Sequence, residues 1–146
     1  MIIINDETEM EKYLDEATNT YALNDDVTFT VNIDTSKNIY AQKIFTRSFL
    51  WADNINAWDI TAMSIACAGK LTAHDIYAGN IRAEKIYARD IMCNSITSEK
   101  ISYENICCAK EKINCNDING KYASSIAVEL KLDIVPNYIK NSEVQD

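Results

Sequence analysis

The chain has 146 residues, 47% of them hydrophobic and 25% charged, a composition that fits one globular domain and argues against intrinsic disorder. No apolar run exceeds four residues, far short of the roughly 20 a spanning helix needs, and the start reaches Asp6 and Glu7 with no basic segment. Net charge is −8, and residues 1–37 carry nine acids against two bases while residues 38–120 carry nine of each, so the acidity sits in the first quarter. No membrane anchor and no signal peptide are expected. A cytoplasmic location is the default.

Along the chain, Asp6-x-x-Glu9 reads as an N-cap with a helix-start acid, and Met10, Tyr13, Leu14 and Ala17 follow at helical spacing. A short amphipathic α-helix over about 7–17 is expected. Asn24-Asp25-Asp26 signals a turn. Val27, Phe29, Val31 and Ile33 then alternate with Thr28, Thr30 and Asn32, the pattern of a strand. Residues 1–37 therefore read as an acidic N-terminal cap.

Residues 38–120 are repetitive. Large aliphatics fall at Ile39, Ile44, Leu50, Ile55, Ile60, Ile65, Leu71, Ile76, Ile81, Ile86, Ile91, Ile96, Ile101, Ile106, Ile113 and Ile118. Twelve of these fifteen intervals are five residues; 44→50 and 65→71 are six and 106→113 is seven, with another six at 33→39. Two residues after each aliphatic comes a small one, such as Ala41, Ala62, Ala78 or Cys93, with Tyr103 the one large exception. Residues i and i+2 of an extended segment share a side, so each Ile-x-Ala sends one large and one small group inward. A period of five matches no helix, and three glycines and one proline cannot supply a hairpin turn every five residues. A coil that turns a corner at each repeat and stacks like positions remains.

Beyond the array, Ile126, Val128, Leu130, Leu132 and Ile134 alternate with Ala127, Glu129, Lys131 and Asp133. Residues 121–146 read as a C-terminal capping strand stopped by Pro136, with a loose tail over 140–146.

The pairs Asn54-Ile55, Asp59-Ile60, Asp75-Ile76, Asn80-Ile81 and Asp90-Ile91 resemble the centre of the pentapeptide-repeat motif, A(D/N)LxX. The small residue follows the aliphatic by two here and precedes it by two in that family. More narrowly, the chain resembles short proteins of Firmicutes and their phages that carry DIxA and NIxA runs behind a small acidic segment. The resemblance implies an all-β fold: a right-handed quadrilateral β-helix of about four coils, four repeats to a coil, with an α-helical cap before it and a capping strand after it.

Few residues suggest chemistry. Cys67, Cys93, Cys108 and Cys115 hold the inward slot that Ala holds elsewhere, where a free thiol packs as a small hydrophobe. Cys107 is the outward exception. The odd count and the absence of a CxxC pair argue against a disulfide framework or zinc site. His74, the lone histidine, falls at a corner and reads as solvated. The outward acids Asp53, Asp59, Asp75 and Asp90 are interspersed with Lys43, Lys70, Lys85 and Lys100, which reads as a mixed-charge face rather than a catalytic groove. No cofactor, no metal and no enzymatic activity are expected.

The outward aromatics Tyr40, Phe45, Trp51, Tyr77 and Tyr87, with Trp58 at a corner, are the candidate partner surface. Four repeats to a coil would stack Phe45, Ala66, Tyr87 and Cys107 in one column. Aromatic ladders along a β face are the plainer account of the same residues. Asp6, Glu7, Glu9, Glu11, Asp15, Glu16, Asp25 and Asp26 form the candidate acidic surface. Some pentapeptide-repeat proteins resemble a DNA duplex in shape and acidity and inhibit DNA-binding enzymes. The expectation is a non-enzymatic interaction protein: a phage-type inhibitor of a host nucleic-acid enzyme or defence system, of the anti-CRISPR kind, acting in the host cytoplasm. The alternative is a self-associating scaffold or a homodimer through an end cap. Direct nucleic-acid binding is disfavoured by net charge.

Overall fold

The computed structural model describes residues 1–108, 112–120, 122–124 and 142–143. It is a β-solenoid of about six turns, and the stacking registers define its cross-section. Along the first face Ile2 lies on Val27, Val27 on Ile44, Ile44 on Ile60 and Ile60 on Ile76, and farther on Ile91 lies on Ile106. The second face stacks Ile33, Leu50, Ile65 and Ile81 in order, then Ile96 on Ile113. The third stacks Tyr21, Ile39, Ile55 and Leu71, then Ile101 on Ile118. Between these anchors Lys70–Ser102 runs as one extended segment around successive corners. There Arg89 lies 3.1 Å from His74 and the Ser95 hydroxyl donates to Asn80, both fifteen residues back.

A turn therefore holds three repeats, and the four-sided section expected from the resemblance is corrected to a three-sided one. The irregular intervals confirm the count. Leu50 sits on Ile65, fifteen residues on; Ile44 sits on Ile60 and Ile60 on Ile76, sixteen on, because each of those turns contains one six-residue interval. Ile96 sits on Ile113, seventeen on, across the seven-residue interval. The registers, not the repeat itself, decide the number of sides. One large aliphatic and one small group per side fill the three-sided section, and like side chains above and below cover each aliphatic. The fourteen aliphatics from Ile39 to Ile106 are each at most 2% exposed.

The stack begins earlier than residue 38. Ile2–Ile4 is already a rung, and Val27–Phe29 and Ile33–Asp34 are the next rungs of the first and second faces. The expected α-helix over 7–17 is a shorter 3₁₀ helix, Glu7–Tyr13, inserted into the first turn. It ends early because Leu14–Asp15 pairs antiparallel with the Thr20–Ala22 strand, through a turn in which Asn19 takes a positive φ of 55°. Asp6 caps the helix by accepting from the Thr8 N–H at 2.9 Å, and Met10 is fully buried. Glu7 Oε1 accepts the Asp34 N–H at 2.7 Å, which satisfies a donor of the terminal rung of the second face. The helix thus covers the end of the second face, while Ile2–Ile4 remains the terminal rung of the first.

The expected capping strand over 126–134 lies outside the described residues. Tyr122–Ser124 adds a parallel rung to the first face, and within the expected tail Ser142–Glu143 pairs antiparallel with it.

Tyr103, the exception in the small slot, is accommodated by what lies above it. Its N–H donates to the Asn119 carbonyl, and a Cβ on the next residue, Gly120, would stand 2.3 Å from the Tyr103 ring. A large residue here requires the next turn to have no side chain. Gly120→Ala is expected to destabilise the protein by about 1–3 kcal/mol in urea unfolding. Combined with Tyr103→Ala it should cost clearly less than the sum of the two single changes.

Candidate functional site

The three-sided section redistributes the predicted aromatics. Phe45 points out from the first face, Trp51 from the second, and Tyr40 and Tyr87 from the third, with Trp58 at the corner between third and first. The predicted column of Phe45, Ala66, Tyr87 and Cys107 is not formed: Phe45 stacks on Thr28 and Thr61, Ala66 on Trp51, and Cys107 on Met92. Tyr77, in register with Thr61, is buried, as are Met92 and Cys107, although all three occupy outward positions. Tyr87 is half-buried, with the ammonium groups of Lys70 and Lys100 5.5 and 5.9 Å from its ring centre.

The exposed large apolar side chains among the described residues are Met1, Ile3, Tyr40, Phe49, Trp51, Trp58 and Met63. All lie in the first 63 residues, the half of the stack that also carries the excess acid. Phe49 and Trp51, both 47% exposed, project from one rung of the second face. Phe49 and Met63 extend the predicted set; both escaped notice because neither sits just after a repeat aliphatic.

Six of the eight predicted acids have structural tasks. Asp6 and Glu7 act as described above, Glu9 accepts from the Asn5 N–H and Glu11 from the Tyr21 hydroxyl, Asp15 accepts from the Ala17 N–H, and Asp25 accepts from the Asp26 N–H. The N–H of Thr8 holds the Asp6 carboxyl below its ordinary range, and the Asp26 N–H with the chain-terminal ammonium does the same for Asp25. Hydrogen bonding fixes these acids in place while leaving their charge at the surface.

The thiols behave as packing groups. Burial pushes Cys67 up to about 12, and a hydrogen bond with Cys108 reinforced by burial drives Cys93 well above the ordinary thiol range. Neither supplies a thiolate nucleophile.

The densest polar constellation was not legible as one in the sequence. At the corner between the third and first faces, Trp58, His74, Arg89 and Glu104 form a ladder, and Lys43, Asp59, Asp75, Asp90 and Asn105 form a second beside it. The Trp58 and His74 rings stack at 4.6 Å with 5° between planes. Arg89 Nη1 is 3.1 Å from His74 Nε2, and its Nε is 3.8 Å from Asp90 and 3.6 Å from Glu104. A guanidinium can only donate, so Nε2 accepts and the imidazole proton resides on Nδ1, 3.3 Å from Asp75 Oδ1. Lys43 Nζ reaches Asp59 at 4.0 Å, and the Asn105 amide donates to Asp90 at 2.8 Å. His74 is therefore a half-buried, stacked member of this ladder rather than a solvated corner residue. Asp59, His74 and Asp75 each offer one ring nitrogen or carboxylate oxygen within 4.8 Å of the other two, a donor set able to hold a cation. The signal that finds this group is the 16- and 15-residue spacing of Asp59, Asp75 and Asp90, meaningful only once a turn is known to hold three repeats.

Asp75, in the middle of this ladder, is shifted upward. Partial burial raises its carboxyl from 3.8 to about 6, aided by a hydrogen bond with Asp90 and the negative charges of Asp59 and Asp90, against the opposing pull of His74. The folded state thus holds the Asp75 proton more tightly than the unfolded chain does. Its contribution to stability is complete below pH 3.8 and is lost as pH rises through about 6. Asp75→Asn is expected to stabilise the protein at pH 8 by about 1 kcal/mol, discounted because water screens the half-exposed carboxyl, with no effect below pH 4. Thermal melts across pH in EDTA-containing buffer measure this.

No protein-family model, curated protein or solved structure matches this chain.

Proposed function

We propose that the protein is a non-enzymatic interaction module whose N-terminal half binds a basic surface on a protein partner. The observation that carries the reading is that the exposed aromatics and the fixed acidic charge both fall in the N-terminal half of the stack. Tyr40, Phe49, Trp51, Trp58 and Met63 supply large contact area at small entropic cost, and exposed apolar groups of this size mark partner surfaces. Residues 1–37 supply seven net negative charges, which steer a basic partner and select its orientation. A nucleic-acid-handling host enzyme fits that chemistry, and an inhibitor of such an enzyme or of a defence system, of the anti-CRISPR type, is the most concrete form of the reading. The neutral body of the stack argues against mimicry along its full length, so contact would centre on the first turns.

Affinity purification with the intact protein as bait from a Firmicute lysate is expected to recover one basic partner in stoichiometric amount. Binding should weaken as salt rises. Trp51→Ser with Trp58→Ser should lower affinity at least about 30-fold, the cost of losing a central aromatic anchor. Recovery of nothing at low salt would sink the proposal.

One observation favours self-association as the second reading. Ile2–Ile4 is the terminal rung of the first face, and its Ile3 is 53% exposed, so it can template a second copy. Light scattering separates the two: a discrete monomer or dimer supports the interaction module, and growth with concentration supports the scaffold.

A further inference from the structure

We propose that Asp59, His74 and Asp75 form a binding site for a divalent transition-metal cation of the zinc, nickel or cobalt class. Asp59, His74 and Asp75 each offer a donor atom within 4.8 Å of the other two, Asp59 Oδ1 is sealed from water without a hydrogen-bond partner, and His74 Nδ1 and Asp75 Oδ1, equally sealed, have only each other at 3.3 Å. Polar atoms buried in that way cost free energy, and one cation satisfies all three together. The 3.3 Å between His74 Nδ1 and Asp75 Oδ1 is the edge of a tetrahedron with bonds of about 2.0–2.1 Å, so these two donors already stand as neighbours around such an ion. Only the Asp59 carboxylate must close in. One imidazole and two carboxylates suit a borderline cation, while calcium, which takes six to eight oxygens, is poorly served.

The surroundings hold the donors in place. Trp58 stacked on the imidazole fixes its plane, and Lys43 and Asn105 close the carboxylate ladder at its two ends. One contact opposes the cation. A ring that ligates through Nδ1 carries its proton on Nε2, where Arg89 now donates. Arg89 has an alternative, because Asp90 and Glu104 already lie 3.8 and 3.6 Å from its Nε. Cation binding therefore entails transfer of Arg89 from the imidazole to these carboxylates, and the guanidinium acts as a brake on affinity.

Trp58 provides the readout. In tag-free protein carrying Trp51→Phe it is the sole tryptophan, and Ni²⁺ at the neighbouring imidazole should quench it. The expected result is saturable quenching with one equivalent of Ni²⁺, matched by one Zn²⁺ in calorimetry. Asp59→Asn should weaken Zn²⁺ binding at least about tenfold, as should His74→Ala. Arg89→Ala should tighten it several-fold, a gain that neither misfolding nor adventitious surface binding produces. Affinity should rise with pH as the ligands give up protons. Absence of saturable quenching overturns the proposal, as does Zn²⁺ affinity unchanged by Asp59→Asn and His74→Ala, or weakened by Arg89→Ala.

Discussion

Each rung of the solenoid lies in parallel register on the one fifteen to seventeen residues before it, apart from the first turn, so whatever a position holds is brought within about 4.8 Å of its counterpart. For the inward aliphatics this is the whole source of the core: an isoleucine alone on a turn would be wet on two sides, and its neighbours above and below cover both. The small slot obeys the same logic. Ala62 lies on Ala78, Cys67 on Ala52, and the exchange of Ala for Cys or Ser changes volume little enough that the stack continues. Tyr103 breaks that rule and requires Gly120 to restore the space.

Stacking like on like helps amides and harms charges. Asn54 donates its side-chain amide to Asn38 at 2.9 Å, and its side-chain Oδ1 accepts the Lys70 N–H at 2.6 Å, so a corner asparagine ties three turns together. Aspartates in the same arrangement repel. The column through Asp59, Asp75 and Asp90 is relieved by Lys43 at one end and Asn105 at the other, which leaves the central carboxyl with no cation directly above or below it. That position adds the charges of Asp59 and Asp90 to the burial that raises the Asp75 carboxyl. Lysines at the start of the third-face rungs meet the same difficulty, and Lys70 and Lys100 direct their ammonium groups toward the face of Tyr87.

The sequence determines the length of a side much more strongly than the number of sides. The five-residue period and the order Ile-x-Ala fix which side chains enter the core, and the register follows every six- and seven-residue interval in the chain. Nothing within one repeat states how sharply its corner bends, and a resemblance supplied the value of four. That one integer controlled the reading of the surface. With four sides Asp59 falls near Asn80, and with three it falls on Asp75, so the corner constellation was invisible and an aromatic column that does not exist was expected. The terminal helix was legible from Asp6 and Glu9, but its early end was not, because pairing of Leu14–Asp15 with Thr20–Ala22 is a tertiary demand that overrides helical spacing.

The same stacking constraint explains why the surface is uneven along the axis. Every outward position is shared by all turns of a face, yet on the first face the occupants change from exposed Ile3 to buried Met92 and Cys107. On the second they change from Trp51 to Arg82 and Asn114. An amphipathic helix of the same length would need a new face to make such a change, whereas a solenoid needs only a later repeat. The N-terminal turns add the 3₁₀ helix, whose Asp6 and Glu7 side chains accept backbone N–H groups. Folding of the helix onto the first turn thus places negative charge at the same end of the solenoid as the exposed aromatics. A partner that recognises both would read the N-terminal end of the solenoid, where Asp6 caps the 3₁₀ helix and Glu7 holds the Asp34 N–H.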